Sequence, residues 1–176
     1  EKFMSYFQAY TNTYKPVNEL EKIYTAALKH QDVVGISIGT RPDCVGNDKL
    51  NLISDISNDY YTWIEYGLQS SHDKTLKRIN RGHDYACFLN AIEKLSKTNL
   101  KICVHIINGL PFETKEMMLE TVDYLNTLPI QGIKLQLLHV IDGTDLAEEY
   151  AAGKFACMTL EEYGEILKKC GELLPE

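Results

Sequence analysis

The sequence has no apolar run long enough to cross a membrane, and its first residues, Glu1-Lys2-Phe3-Met4, lack the basic, apolar and small-residue sections of a signal peptide. Both absences set the expectation of a cytoplasmic protein. A basic excess is missing too: 18 Lys and Arg against 25 Asp and Glu leave a formal charge of -7 across 176 residues. That balance excludes a broad, nonspecific nucleic-acid surface and leaves room only for a small basic patch. The five cysteines, Cys44, Cys87, Cys103, Cys157 and Cys170, are odd in number and scattered, which favours reduced thiols over a disulfide framework. No two of them have metal-ligand spacing, so a metal site would need thiols from distant loops to converge. Low-complexity sequence is scarce and no linker interrupts the chain, so residues 1–176 read as a single domain. Its 44% hydrophobic and 24% charged content is enough for one sizeable core.

What is present is an α/β pattern. Strand candidates are Phe3-Gln8, Val33-Ile38, Tyr61-Leu68, Lys101-Ile107 and Gly132-His139, each an apolar or β-branched run followed by polar or turn residues. A helix is expected after each. Val17, Leu20, Ile23, Tyr24, Ala27 and Leu28 share one helical face, as do Phe88, Ala91, Ile92 and Leu95, and then Met118, Val122 and Leu125. Repeated strand-helix units favour parallel pairing and right-handed crossovers, giving an open doubly wound sheet or a complete or partial barrel. Periodicity does not choose between them. In both, ligands bind outside the carboxyl ends of the strands, so the residues just after each strand carry the chemistry.

Those residues are Gln8-Ala9-Tyr10-Thr11-Asn12-Thr13, Gly39-Thr40-Arg41-Pro42-Asp43, Gln69-Ser70-Ser71, Asn108-Gly109-Leu110-Pro111 and His139 through Thr144. Gly39 to Asp43 also fits a plain turn, with Pro42 fixing the backbone and Asp43 capping the next element. Gly109 permits a tight turn that Pro111 stiffens, and Thr114 with Met117 onward opens a helix. Gln69 offers donors and an acceptor suited to ribose hydroxyls or an amino-acid headgroup; the alternative is an amide that ties two loops together. Arg81, in a loop before Gly82-His83, has a planar fork able to grip a carboxylate through two parallel hydrogen bonds. Lys77 and Arg78 read instead as solvated surface charges. His72 and His83 serve either as acid-base groups or as hydrogen-bond struts.

Thr40-Arg41-Pro42-Asp43, then Gly67-Leu68-Gln69-Ser70, then Asn80-Arg81-Gly82-His83, then Gly109-Leu110-Pro111 form an ordered set. In order and spacing this set resembles the radical S-adenosylmethionine (SAM) superfamily, on the branch related to the elongator catalytic subunit. Gln8-Ala9-Tyr10-Thr11-Asn12-Thr13-Tyr14 and Ile64 through Leu76 are similar to a subfamily of small Fe-S oxidoreductases of the YhcC type. The resemblance covers essentially the whole chain.

It implies a partial parallel (β/α) barrel of the TIM-barrel kind, with SAM across the carboxyl ends of the strands. Ala9, Tyr10 and Thr11 match the position that holds the methionine amino group, and Arg81 the arginine that pairs with the methionine carboxylate. Gln69 matches the polar residue near the ribose; Ile107, Asn108 and Gly109 match the place where backbone meets the adenine. Where related enzymes often carry an acidic residue, this sequence has Gly39, which leaves a ribose contact there open. For the full-length enzyme the resemblance implies reductive cleavage of SAM to a deoxyadenosyl radical, an electron donor such as a flavodoxin or ferredoxin, and a tRNA wobble uridine as substrate.

The superfamily's Cys-x-x-x-Cys-x-x-Cys motif, which ligates a [4Fe-4S] cluster, is absent from these 176 residues. It is expected before Glu1, which makes this chain a barrel truncated at its N-terminus, without metal ligands of its own and inactive alone. Two other functions stay open on the residues themselves. One is a barrel lyase or aldolase with Lys134 as Schiff-base lysine; the other is a noncatalytic module for protein or RNA. Tyr10, Tyr66, His105 and His139 either approach a substrate or fill the strand-end cavity, with packing the expectation for the tyrosines.

Overall fold

Five runs rich in β-branched and aromatic residues become strands: β1 (Phe3–Phe7), β2 (Val33–Thr40), β3 (Tyr61–Gln69), β4 (Lys101–Asn108) and β5 (Gly132–Leu137). The computed structural model describes residues 1–174. All neighbouring strands pair in parallel, in the order β1-β2-β3-β4-β5. A doubly wound sheet reverses its strand order at a switch point. Here the order never reverses, and the sheet curls into a half-barrel.

Helices fill the four crossovers, α1 (Val17–Ala27), α2 (Asn47–Ile56), α3 (Asp73–Arg78) with α4 (Tyr85–Leu95), and α5 (Lys115–Asn126), and α6 (Asp145–Ala151) and α7 (Leu160–Leu173) follow β5. Their starts are written locally. The side chains of Asp84, Thr114 and Thr144 accept from the backbone N–H three residues on, and Thr159 with Glu162 forms a reciprocal capping box.

Alternation along the strands divides the sheet into two unlike faces. Ile36, Ile38, Ile64, Tyr66, Leu68, Ile102, Val104 and Ile106 are buried on the convex face. There they join Leu20, Tyr24, Phe88, Ile92, Leu95, Met118, Val122 and Leu125 of the helices in one apolar core. The intervening residues form the concave face, where Tyr6, Ser37, Gly39, Glu65, Gly67, His105 and Lys134 lie among a few apolar side chains, Met4, Trp63, Cys103 and Ile107.

The expected helical faces of α4 and α5 are the buried ones. On α1 the stripe narrows to Leu20, Tyr24 and Leu28, four residues apart, and Ile23 beside it stays 36% exposed. The last strand stops at Leu137, short of His139, because Leu138 N–H makes the final link to the Asn108 carbonyl before the chain turns away. Asp43 does not cap α2, whose N-cap is Gly46; its carboxylate is taken by Arg41. Arg78 is not a solvated charge: it pairs with Glu149 at 2.5 Å and stacks 4.2 Å from the Phe112 ring centre, tying α3 to α6. Among the described residues no helix is long and apolar enough to cross a membrane.

Leu95, at 0% exposure, sits deep in the core on the helix side of the sheet. Leu95→Ala is expected to destabilise the fold by about 3 kcal/mol, read as a shift in the urea midpoint. Ile23→Ala is expected to change it by less than about 1 kcal/mol.

Candidate functional site

On the concave face every strand contributes one polar side chain to a single cluster. Glu65 on β3 is its centre. Ser37 of β2 donates to Oε1. Oε2 accepts from the Tyr6 hydroxyl of β1 at 2.9 Å, from His105 Nε2 of β4 at 2.6 Å and from Lys134 Nζ of β5 at 2.7 Å. Lys134 also donates to the Tyr6 hydroxyl at 2.8 Å, with its ammonium 4.6 Å from that ring's centre. Burial would raise the Glu65 pKa, but hydrogen bonds from Lys134, Ser37, Tyr6 and His105 outweigh it and hold the carboxyl at about 2. Lys134 moves the other way: burial opposes its charge, and the bonds to Glu65 and Tyr6 raise its pKa above the ordinary lysine value. A protonated ammonium has no lone pair, so Lys134 is poorly suited to the Schiff-base role. Burial lowers the pKa of His105, Glu65 opposes that, and the nearby charges of Lys134 and Arg81 reinforce it.

Above this cluster a cavity of about 420 Å³ opens at the carboxyl ends of the strands. Tyr6, Glu65 and His105 line it, and its wall also includes Gln8, Tyr10, Thr11, Arg41, Gln69, Arg81 and Gln136. A larger groove of about 570 Å³ lies on the helix side of the sheet, between the Pro42–Cys44 turn and α4, and has none of this cluster.

Arg81 reaches the cavity from the loop after α3. Its Nε and Nη2 both donate to the Gly67 carbonyl, at 3.0 and 2.6 Å. Gly67 makes that seat, since a Cβ there would stand 2.5 Å from Nη2 of Arg81 and 2.9 Å from Nε2 of Gln69. Burial lowers the Arg81 pKa and the charge of Arg41 adds to the effect, yet among the described residues no carboxylate pairs with it. Arg41 is compensated by Asp43 through two bonds of 2.9 and 2.6 Å. A half-buried guanidinium without a counter-ion invites an anion.

Gln69 lies beside it where the β3–β4 register shifts, and its φ of 79° is unusual for a residue with a Cβ. Its Oε1 is buried without a hydrogen-bond partner. An orphaned acceptor beside an unpaired guanidinium, seated where Gly67 leaves room for it, fits a ligand bearing both a carboxylate and hydroxyls.

The expected site residues divide. Tyr10, Thr11, Gln69 and Arg81 come together on this cavity, whereas Ala9, Ile107, Asn108 and Gly109 are not in its wall. Tyr10, expected to pack, is 99% exposed at the mouth with φ 63°, and Tyr66 is instead buried in the convex core. Asn108 is buried with Nδ2 unpartnered, and Gly109 adopts φ 83° against Met158. His72 acts as a strut to the Met117 carbonyl at 3.0 Å, and His139 is exposed. Among the described residues no three His, Cys, Asp or Glu side chains gather in a group that could hold a metal ion. The sequence reading missed Tyr6, Ser37 and Glu65. Its available signal was a charge inside an apolar strand, Glu65 in Ile64-Glu65-Tyr66, matched by Lys134 in Ile133-Lys134-Leu135.

A family model described as the radical SAM superfamily matches residues 2–125, and one for a radical SAM C-terminal domain matches residues 130–176. β5 carries the same sheet across that division. The chain is 39% identical over 173 residues to protein YhcC of Escherichia coli K12, covering 96% of this chain and 56% of that protein. It is 29% identical over 165 residues to a tRNA uridine(34) acetyltransferase of Methanocaldococcus infernus, covering 92% of this chain and 30% of the relative. Among solved structures, the N-terminally deleted Elp3 of that archaeon shares the fold with a TM-score of 0.87 at 21% identity, over 99% of this chain and 46% of its own. The chain spans about half the length of the curated relatives it matches most strongly.

The Glu65 carboxyl is at about 2 when folded and near 4.5 when unfolded. A depressed carboxyl stabilises the fold fully above the unfolded value and loses that contribution as the pH falls through the folded one. This contribution is at most roughly 3 kcal/mol. Urea midpoints measured from neutral pH down to pH 2 are expected to fall steeply below about pH 4.5 in the wild type. In Glu65→Gln the curve starts lower at neutral pH and is flatter across the same window.

Proposed function

The chain belongs to the radical SAM superfamily, on the branch of YhcC-type proteins and Elp3, and from that premise we propose that its strand-end cavity holds SAM. The observation that carries this reading is Arg81: a half-buried guanidinium, seated on the Gly67 carbonyl and without a carboxylate partner, that faces a cavity beside an unsatisfied Gln69 Oε1. The remaining N–H groups of Arg81 take the methionine carboxylate. The segment Ala9-Tyr10-Thr11 receives the amino group at the mouth, Gln69 accepts from a ribose hydroxyl, and the adenine extends past the cavity wall toward the backbone of Ile107, Asn108 and Gly109.

Bound SAM, given an electron through a [4Fe-4S] cluster with ligands outside these residues, supplies the means to take a hydrogen atom from an unactivated carbon. The side chains of this chain bind and orient it. The whole protein is then a radical SAM enzyme that draws electrons from a flavodoxin or ferredoxin.

For the second substrate we favour tRNA, at the wobble uridine. The tRNA uridine(34) chemistry in the name of the Methanocaldococcus relative supports that reading. The net charge of -7 means that the grip on RNA must come from a local patch or from residues elsewhere in the protein.

Anaerobic reconstitution of the whole protein with iron and sulfide, then dithionite and SAM, tests the first part. Deoxyadenosine is expected from the wild type. Arg81→Ala is expected to weaken SAM binding about 100-fold, as loss of a charge-assisted bidentate pair should. Absence of cluster and of SAM cleavage discards the reading. Nucleoside analysis of tRNA from cells lacking the protein tests the second part: a changed wobble uridine supports it, and unchanged tRNA removes it.

A further inference from the structure

The cluster under the SAM cavity contains a group for which the roles above have no use. Glu65 is ionised at any pH at which the protein works, so its oxygens only accept hydrogen bonds. The proton between Glu65 and His105 therefore belongs to Nε2, which fixes the neutral imidazole in the Nε2–H tautomer. Its other nitrogen, Nδ1, is left with a lone pair. Nδ1 has no hydrogen-bond partner among the described residues and is not fully enclosed, and His105 is one of the residues that line the cavity. A carboxylate that holds one imidazole nitrogen while the other faces a reaction space is the geometry of an oriented base.

The surroundings of His105 keep it ready for that work. It is faced by Glu65 from β3, by Lys134 from β5, by Arg81 from the loop after α3 and, through Glu65, by Tyr6 from β1. The two cations and burial keep the resting ring unprotonated. Glu65 stands ready to stabilise the ring once it gains a proton. Glu65 cannot act as the base itself, because its oxygens are already taken by Ser37, Tyr6, His105 and Lys134.

We propose that His105, held by Glu65, is the acid-base residue of the cavity, taking a proton at Nδ1 from an N–H or O–H group of the second substrate bound beneath SAM. This rests on the reading of the strand-end cavity given above. In the step the substrate N–H or O–H bond breaks, its electron pair stays on the substrate nitrogen or oxygen, and the proton forms a bond to Nδ1. The resulting imidazolium is paired with Glu65, which serves as its positioning residue.

Carbethoxylation of the whole protein by diethyl pyrocarbonate, mapped by mass spectrometry, reads unprotonated, accessible imidazole nitrogens without knowledge of the second substrate. His105 is expected to be modified, with a pH midpoint below that of free histidine. The midpoint should fall further in Glu65→Gln, which removes the group that favours protonation, and rise in Lys134→Met, which removes one that opposes it. No adduct on His105 while the exposed His139 reacts overturns the proposal, and so does a midpoint that neither variant moves. With tRNA from cells lacking the protein as the probe, His105→Gln is expected to turn over at least about 100-fold more slowly at unchanged KM, because glutamine keeps a donor for Glu65 but has no Nδ1. Turnover at the wild-type rate shows a strut and overturns the proposal. Failure of the wild type to cleave SAM would count against the SAM-site reading alone, since carbethoxylation still decides this one.

Discussion

A carboxylate on the inner face of a parallel sheet must be matched where it lies, because an ion stripped of water and left unpaired outweighs most other terms in a fold. Glu65 is matched by one donor from each of the other four strands: Tyr6, Ser37, His105 and Lys134. Barrel interiors are usually filled with layers of branched apolar side chains. Here the main apolar core is on the convex side, under the helices, and the middle of the concave side is held by polar contacts around Glu65. The arrangement also specifies register. A one-residue slip of any strand would turn its donor toward the convex core and leave Glu65 short of a partner.

At the strand ends the determining feature is the missing side chain of Gly67. Its recess admits the Arg81 guanidinium, its carbonyl takes two of the N–H groups, and the rest of the fork is left for the cavity. Gln69 is held close by with φ 79° and an unsatisfied oxygen. Strain and unpaired polarity in one place mark a site built for something that arrives later.

Much of this was legible in the sequence, for reasons that are local. Apolar and β-branched runs mark the five strands, stripes spaced by three and four residues mark α4 and α5, and Thr114 announces the helix start it caps. Gln69 stood out because it sits just past a predicted strand end, and Arg81 because its guanidinium sits in a loop beside a glycine. The remainder depends on distance along the chain. Tyr6 and Lys134 meet although 128 residues separate them, and Arg78 meets Glu149 across 71. Neither pair has a periodic signature. Tyr10 was expected to pack because tyrosines usually do, but it stands 99% exposed on a backbone with φ 63°. Choosing between an open sheet and a half-barrel needed the strand order, which periodicity does not contain.

The shared carboxylate has a consequence for how proteins built on this plan diverge. Replacing Glu65 leaves four donors without their shared acceptor, and replacing a donor leaves the buried carboxylate less well matched, so the floor of the cavity changes most readily through coordinated replacements on several strands. Gln8 and Gln136, on the wall above, are not tied to any other side chain among the described residues. Single substitutions there carry no such debt. New substrate preferences should therefore arise first at those two positions, while the floor is inherited as a block.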